Sequence, residues 1–414
     1  MKLSVTTLFL LCLACLSSGN LYTKDITVDP TGNVRTIRQA LSLSLNGDRI
    51  LIGKGHYAEG NLIVDRSVAL IGIDRPVIDG EGKGEIFTIT ANDVTIEGLV
   101  IQNAGISYVQ ENAGVRLKEV RRCTVQNNDF IMNFFAIYLA KSFDCVIKGN
   151  RIRSRGSSES SSGNGIHLWS CRKITIENNV ISGHRDGIYF EFVKEGMIIN
   201  NISENNLRYG LHFMFSDSCM YTRNTFRDNS AGVAVMYTRG VIMLGNTFEH
   251  NWGPSSYGIL LKDISDSDIE KNIFVGNSIG LYIEGSVRMK IHKNEFTQNG
   301  WAVKIMANSN QNVFSDNNFI GNSFDVATNS KSSFNSFNNN FWSSYSGYDL
   351  DRDGIGDVPF RPVSLFSILT QKQPESLILL RSFFISILDM AEKMIPVLTP
   401  ETLVDAKPMM RKIL

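Results

Sequence analysis

The chain has 414 residues, with 41 basic side chains against 41 acidic ones, so its formal net charge is zero. That balance argues against a general nucleic-acid binder, which needs a basic surplus for the phosphates. An apolar fraction of 43% is enough for a substantial core, and no internal run approaches the ~18 uninterrupted apolar residues of a spanning helix.

The first residues, MKLSVTTLFLLCLACLSSGN, carry one lysine, an apolar run from Leu8 to Leu16, and then small residues. This is the pattern of a secretory signal over residues 1–19, with Ser17 and Gly19 at positions −3 and −1 of a cut before Asn20. The rival is a lipid anchor at Cys15, whose box is imperfect because Cys12 stands where leucine is usual. Export is the preferred reading. Cys123, Cys145, Cys171 and Cys219 then remain, with no Cys-x-x-Cys pair among them to indicate zinc.

Residues 25–110 contain a short helix, Thr36 to Leu45, followed by apolar pairs that read as strands. The strings GDRI, GHY, LIG and IDG resemble the opening of exported β-helix proteins, polysaccharide-active ones included. A helix here would cap the open end of such a fold.

Over residues 111–346 one pattern recurs. A small residue opens each alternating strand: Gly114, Ala136, Gly165, Gly187, Gly210, Gly232, Gly258, Gly280 and Ala302. The gaps are 22, 29, 22, 23, 22, 26, 22 and 22, and an asparagine column keeps the same period: Asn128, Asn150, Asn179, Asn200, Asn224, Asn246, Asn272, Asn294, Asn317 and Asn339. The apolar residues alternate, which is strand rather than helix periodicity. Coils of about 22 residues with glycine and asparagine at the corners specify an all-β, right-handed parallel β-helix. Each coil is stable only by stacking on the next. Cys123, Cys145 and Cys219 fall at an inward position, and Cys123 and Cys145 stack at a spacing that permits a disulfide.

Alternation also fixes what faces outward. One outward column is His167, Tyr189, His212, Ala234, Leu260, Tyr282 and Lys304; the next is Trp169, Glu191, Met214, Met236, Lys262, Glu284 and Met306. His212, Met214 and Met236 on two adjacent coils carry the donors that suit copper(I), with Glu191 and His167 on the two coils before. The alternative is an apolar groove covered by a loop or partner, with methionine as adaptable filler. On these residues alone the groove is preferred. A polysaccharide hydrolase would need two carboxylates about 5–9.5 Å apart, whereas Glu191 and Glu284 are four coils apart. Asp186 and Asp263 show no charged partner at coil spacing, and neither Asn-Thr-Asp with Gly-His-Gly nor Asp-Pro-His-Asp occurs. A lyase or epimerase type of enzyme stays as the competing function.

Residues 347–360, GYDLDRDGIGDVPF, place Asp349, Asp351 and Asp353 at positions 1, 3 and 5 of a calcium loop. The Ile355 carbonyl takes position 7 and Asp357 position 9, but Phe360 stands where a bidentate glutamate belongs. Calcium as a clamp is preferred over an ion-free Asp/Gly turn cluster. Residues 361–414 lose the coil pattern. A helix from Pro374 to near Pro396 presents Leu380, Phe383, Phe384, Ile387 and Leu388, wide enough to dock a partner or an interface.

The strings NLRYGLHFMFSDSC, NTFRDNSAGVAVMYTRGVIMLGNTFEHNWGPSSYGILLKDI, NGWAVKIMANSNQNVF and FWSSYSGYDLDRDGIGDVPFRPVSLFS closely resemble the NosD family. The likeness extends over nearly the whole chain after the signal. It implies a non-enzymatic periplasmic accessory protein of nitrous oxide reductase maturation, helping to assemble that enzyme's copper–sulfide centre. It also implies partners: an ABC transporter permease and ATPase, a copper-donor lipoprotein and the reductase, with membrane association through the permease. No nucleic-acid partner is expected, and no phosphate-binding Gly-x-x-x-x-Gly-Lys loop occurs. The likeness favours copper at His212, Met214 and Met236 without saying which atoms bind.

Overall fold

The computed structural model describes residues 24–107, 110–156, 158–330, 334–380, 382–394 and 403–413. The signal segment and Cys15 lie outside the described residues. Short strands build three parallel sheets of 14, 13 and 12 strands, each pairing with the equivalent strand one coil away. This is the β-helix that the period specifies. Helix α1, Ile37–Leu43, sits beside the first strands, with the Thr36 hydroxyl accepting from Gln39 N. The Glu59 carboxylate accepts from Ile37 N and Arg38 N, placing negative charge at the positive end of the helix.

Inside, the first residue after each small one is fully buried: Ile166, Ile188, Leu211, Val233, Ile259 and Leu281. The small column has a steric cause, since a Cβ on Gly210 would lie 2.7 Å from Gly232 O. Phe226, Phe248, Phe274, Phe296, Phe319 and Trp342 form a continuous stack, with centroids 4.1 to 5.5 Å apart. Cys123, Cys145, Cys171 and Cys219 are buried free thiols.

The asparagine column differs from the sequence reading at two coils. The ladder runs through Asn201 and Asn340, not Asn200 and Asn339. Each rung's Nδ2 donates to the next rung's Oδ1, as Asn179 does to Asn201 at 2.9 Å and Asn201 to Asn224 at 3.0 Å. Asn200 and Asn339 are the corner residues, with φ of 53° and 56°. At both of these coils the first asparagine of the pair takes the left-handed turn and the second enters the core. A second ladder, from Asn206 through Asn229, Asn251, Asn277 and Asn299 to Asn322, lines another corner.

The C-terminal region also departs from expectation. One helix from Pro374 to near Pro396 is expected, but the described part is broken. Helix α2, Leu365–Lys372, is followed by a 3-10 turn, Pro374–Leu379, and helix α3, Phe383–Met394. Leu380 leaves helical geometry at φ −55°, ψ 127°, which interrupts the hydrogen-bond ladder. Residues 403–413 then return to the β-helix. Asp405, fully buried, accepts from Asn340 N, Asn340 Nδ2 and Trp342 Nε1, each at 3.0 Å, and so ends the first ladder.

Candidate metal site on the outer sheet face

Four consecutive strands of the 12-stranded sheet form the floor: Ile166–Trp169, Asp186–Glu191, Tyr209–Met214 and Ala231–Met236. The register pairs Glu191 with Met214 and Met214 with Met236, while Tyr189 pairs with His212. Residues two apart on a strand share a face. His212, Met214 and Met236 are therefore neighbours on one patch. Met214 and Met236 are half-buried, whereas His212, although outward-facing, is only 5% exposed. The rings of Tyr189 and Tyr209 flank it, with centroids at 5.0 and 4.8 Å.

His212 carries the most informative atom of the patch. Its Nε2 is buried and has no hydrogen-bond partner. Burying a polar nitrogen without a partner is costly, and such atoms are rare enough in folded proteins to need a reason. Beside it, the Tyr189 hydroxyl donates to Met214 Sδ at 3.5 Å. Burial pushes the Tyr189 phenol up to about 12, so at neutral pH it stays a donor.

On the other side of the imidazole lies an ion pair that the sequence reading missed. Arg208 grips Asp186 with Nε at 2.8 Å and Nη2 at 2.5 Å. Asp186 is fully buried; burial drives its pKa up, but the hydrogen-bonded Arg208 outweighs this and leaves it lowered. The sequence reading gave Asp186 no charged partner at coil spacing, but Arg208, 22 residues on, is one. It escaped notice because the register matches Asp186 with Tyr209, so the arginine reaches back from one position out of line.

His167 does not join the patch. It lies two strands from His212, and the Tyr189 ring stands between them. It is stacked 4.6 Å from Tyr138, and its Nδ1 accepts from Asn164 Nδ2 at 3.0 Å. Burial, reinforced by nearby Arg185, holds it neutral, with its pKa lowered to about 3. Glu191 stays half-buried beside Met214.

In the acidic loop, one oxygen each of Asp349, Asp351 and Asp353 lies within 4.8 Å of the others. The hydrogen bond from the Asp353 amide works to lower Asp351, yet repulsion from the neighbouring carboxylates leaves its pKa raised. Asp357 stands apart from the trio and accepts from Leu350 N at 2.7 Å. The loop is tied to the returning C-terminus through Gly356 N to Pro408 O and Met410 N to Gly354 O. Of the expected docking residues, Phe383, Phe384 and Ile387 are exposed, while Leu380 and Leu388 are partly covered. Ile378 and Met390 extend the apolar surface. Among the described residues no helix is long and apolar enough to cross a membrane.

Residues 153–347 match the family model described as periplasmic copper-binding protein (NosD). The chain is 30% identical over 391 residues to a probable ABC transporter binding protein NosD of Pseudomonas aeruginosa, covering 90% of each chain. A protein of the same description from Stutzerimonas stutzeri is 27% identical over 377 residues, covering 86% of this chain and 85% of its own. Among solved structures, the catalytic unit of an α-1,3-glucanase from Streptomyces thermodiastaticus superposes with a TM-score of 0.60 at 14% identity. The superposition covers 77% of this chain and 66% of that one. Such a likeness reports the shared β-helix.

Proposed function

The chain belongs to the NosD family, and on that premise we propose that it binds copper(I) in the periplasm on behalf of an ABC transporter. The centre it helps to assemble is the copper–sulfide centre of nitrous oxide reductase, and its copper comes from a donor lipoprotein. The family description speaks of periplasmic copper binding and the relatives' names of an ABC transporter. The residues fit that cargo: an imidazole nitrogen and two thioethers are the donors that copper(I) accepts. The observation that carries the site is the buried, unpartnered Nε2 of His212 beside Met214 and Met236. Glu191 sits at the edge of this set, and His167 is a packing residue. The exposed face of α3 docks on the permease's periplasmic side, and the Asp349–Asp351–Asp353 trio binds calcium as a clamp on the last coil.

The competing reading, an enzyme of polysaccharides, draws on the Asp186–Arg208–His212 cluster. It is disfavoured because the Asp186 carboxylate is fully buried and neutralised by Arg208. The deciding experiment is an anaerobic copper(I) titration against a competing chelator, with His212, Met214 and Met236 each replaced. Stoichiometric binding that these replacements abolish is the expected result. A wild-type chain that cannot compete would place the site in a complex with partners and leave this protein a scaffold.

A further inference from the structure

Nδ1 of His212 has two neighbours of opposite character. Arg208 Nη2, which can only donate, lies at 3.4 Å, and Asp186 Oδ2, which can only accept, lies at 3.6 Å. The partner of one ring nitrogen decides which nitrogen carries the proton. With Nδ1 accepting from Arg208, a ring that carries one proton keeps it on Nε2, and that N–H is the buried donor without an acceptor. A metal on Nε2 needs the other tautomer, with the proton on Nδ1. The acceptor for that proton is already in place.

We propose that Arg208 and Asp186 are positioning residues that hold His212 in one tautomer when empty and in the other when loaded. Binding moves the ring proton from Nε2 to Nδ1 and exchanges Arg208 for Asp186 as the Nδ1 partner. This rests on His212 being a copper ligand, but the metal-free half stands alone. The fork between Arg208 and Asp186 persists in both states, so only the imidazole has to change partners. Partners of this kind orient metal-bound histidines and typically contribute 10–100-fold to affinity.

The test is nitrogen NMR on the full mature chain labelled at histidine, with His212 assigned from the spectrum that His212→Gln lacks. In the metal-free protein, Nε2 is expected to be protonated and Nδ1 bare; on anaerobic addition of copper(I) the two exchange. Asp186→Asn puts an amide donor where the acceptor stood. It should keep the ring in the Nε2–H form and weaken copper(I) binding about 10–100-fold. A metal-free ring protonated on Nδ1 would overturn the proposal, as would copper binding at His212 without the exchange. If Asp186→Asn does not fold, the two wild-type spectra still decide. Copper(I) that leaves the His212 signals untouched refutes the ligand assignment instead, and the metal-free spectrum tells the two failures apart.

Discussion

Two adjacent asparagines, Asn200 and Asn201, give a sharp test of what holds the coils together. Asn201→Ala removes the Nδ2 bonds to Ile176 O, Ile199 O and Asn224 Oδ1, at 2.9, 3.0 and 3.0 Å. It also removes the acceptor of Asn179 N and Nδ2, both at 2.9 Å. Asn224 Oδ1 keeps Asn201 N, and Asn179 Nδ2 keeps Ile147 O. The group that loses its partner outright is Asn179 N, because the pairing of Ile176 with Ile198 leaves Ile176 O in the sheet ladder. At about 1–3 kcal/mol for that buried amide, and about 0.5–1.5 kcal/mol for each of the two Nδ2 hydrogens whose bonds vanish, the expected loss is about 2–6 kcal/mol. Asn200→Ala breaks none of these bonds and only places alanine at φ 53°, a change of about 1–2 kcal/mol. Urea unfolding followed by circular dichroism, with hydrogen exchange at the Asn179 amide, separates them. The Asn201 variant should exchange there at least about 30-fold faster than wild type, from 1.4 kcal/mol per factor of ten. Equal losses from the two variants would refute the ladder as the source of cohesion.

His167 and His184 are held neutral, with pKa values lowered to about 3 and about 4, mainly by burial. Below their ordinary 6.5 the unfolded chain takes up these protons and the folded chain does not. Stability therefore falls as pH drops from 6.5 towards 4, by about 1.4 kcal/mol per unit for each histidine. His184 N donates to Asn206 Oδ1, so His184→Asn extends the second ladder and should flatten this acid limb, measured by urea unfolding at pH 7 and 5. Calcium should raise the melting temperature through Asp349, Asp351 and Asp353, and a chelator should reverse it; identical melting curves would favour the ion-free turn. Replacing Phe383 and Ile387 by aspartate should leave melting and copper titration unchanged while abolishing co-purification with the transporter permease. Undiminished co-purification would remove α3 from the interface.

The β-helix was legible because period and alternation are properties of side-chain order, and no long-range fact is needed to find them. The outward placement of His212, Met214 and Met236 followed from the same alternation. Burial was not legible: alternation places His212 outside the core, but the rings of Tyr189 and Tyr209 cover it. Nor was the difference between Asn200 and Asn201 visible, because either can occupy a corner and only the backbone angle chooses. Asp405 left no trace in the repeat, since its segment touches the sheets through isolated bridges at Phe337 and Phe341. A single aspartate 65 residues beyond the last rung carries no periodic signal.

That same aspartate changes what the terminal helices can do mechanically. The chain leaves the last coils where Val363 bridges Val326, and it is anchored again where Asp405 takes the end of the ladder. Helices α2 and α3 are thus a handle with one foot on the 12-stranded sheet, at Val326, and the other on the 14-stranded sheet, at Phe337, not a loose arm. A partner gripping the handle loads Asn340 directly through the second foot, and the stacked amides behind it transmit that pull along the axis of the rod.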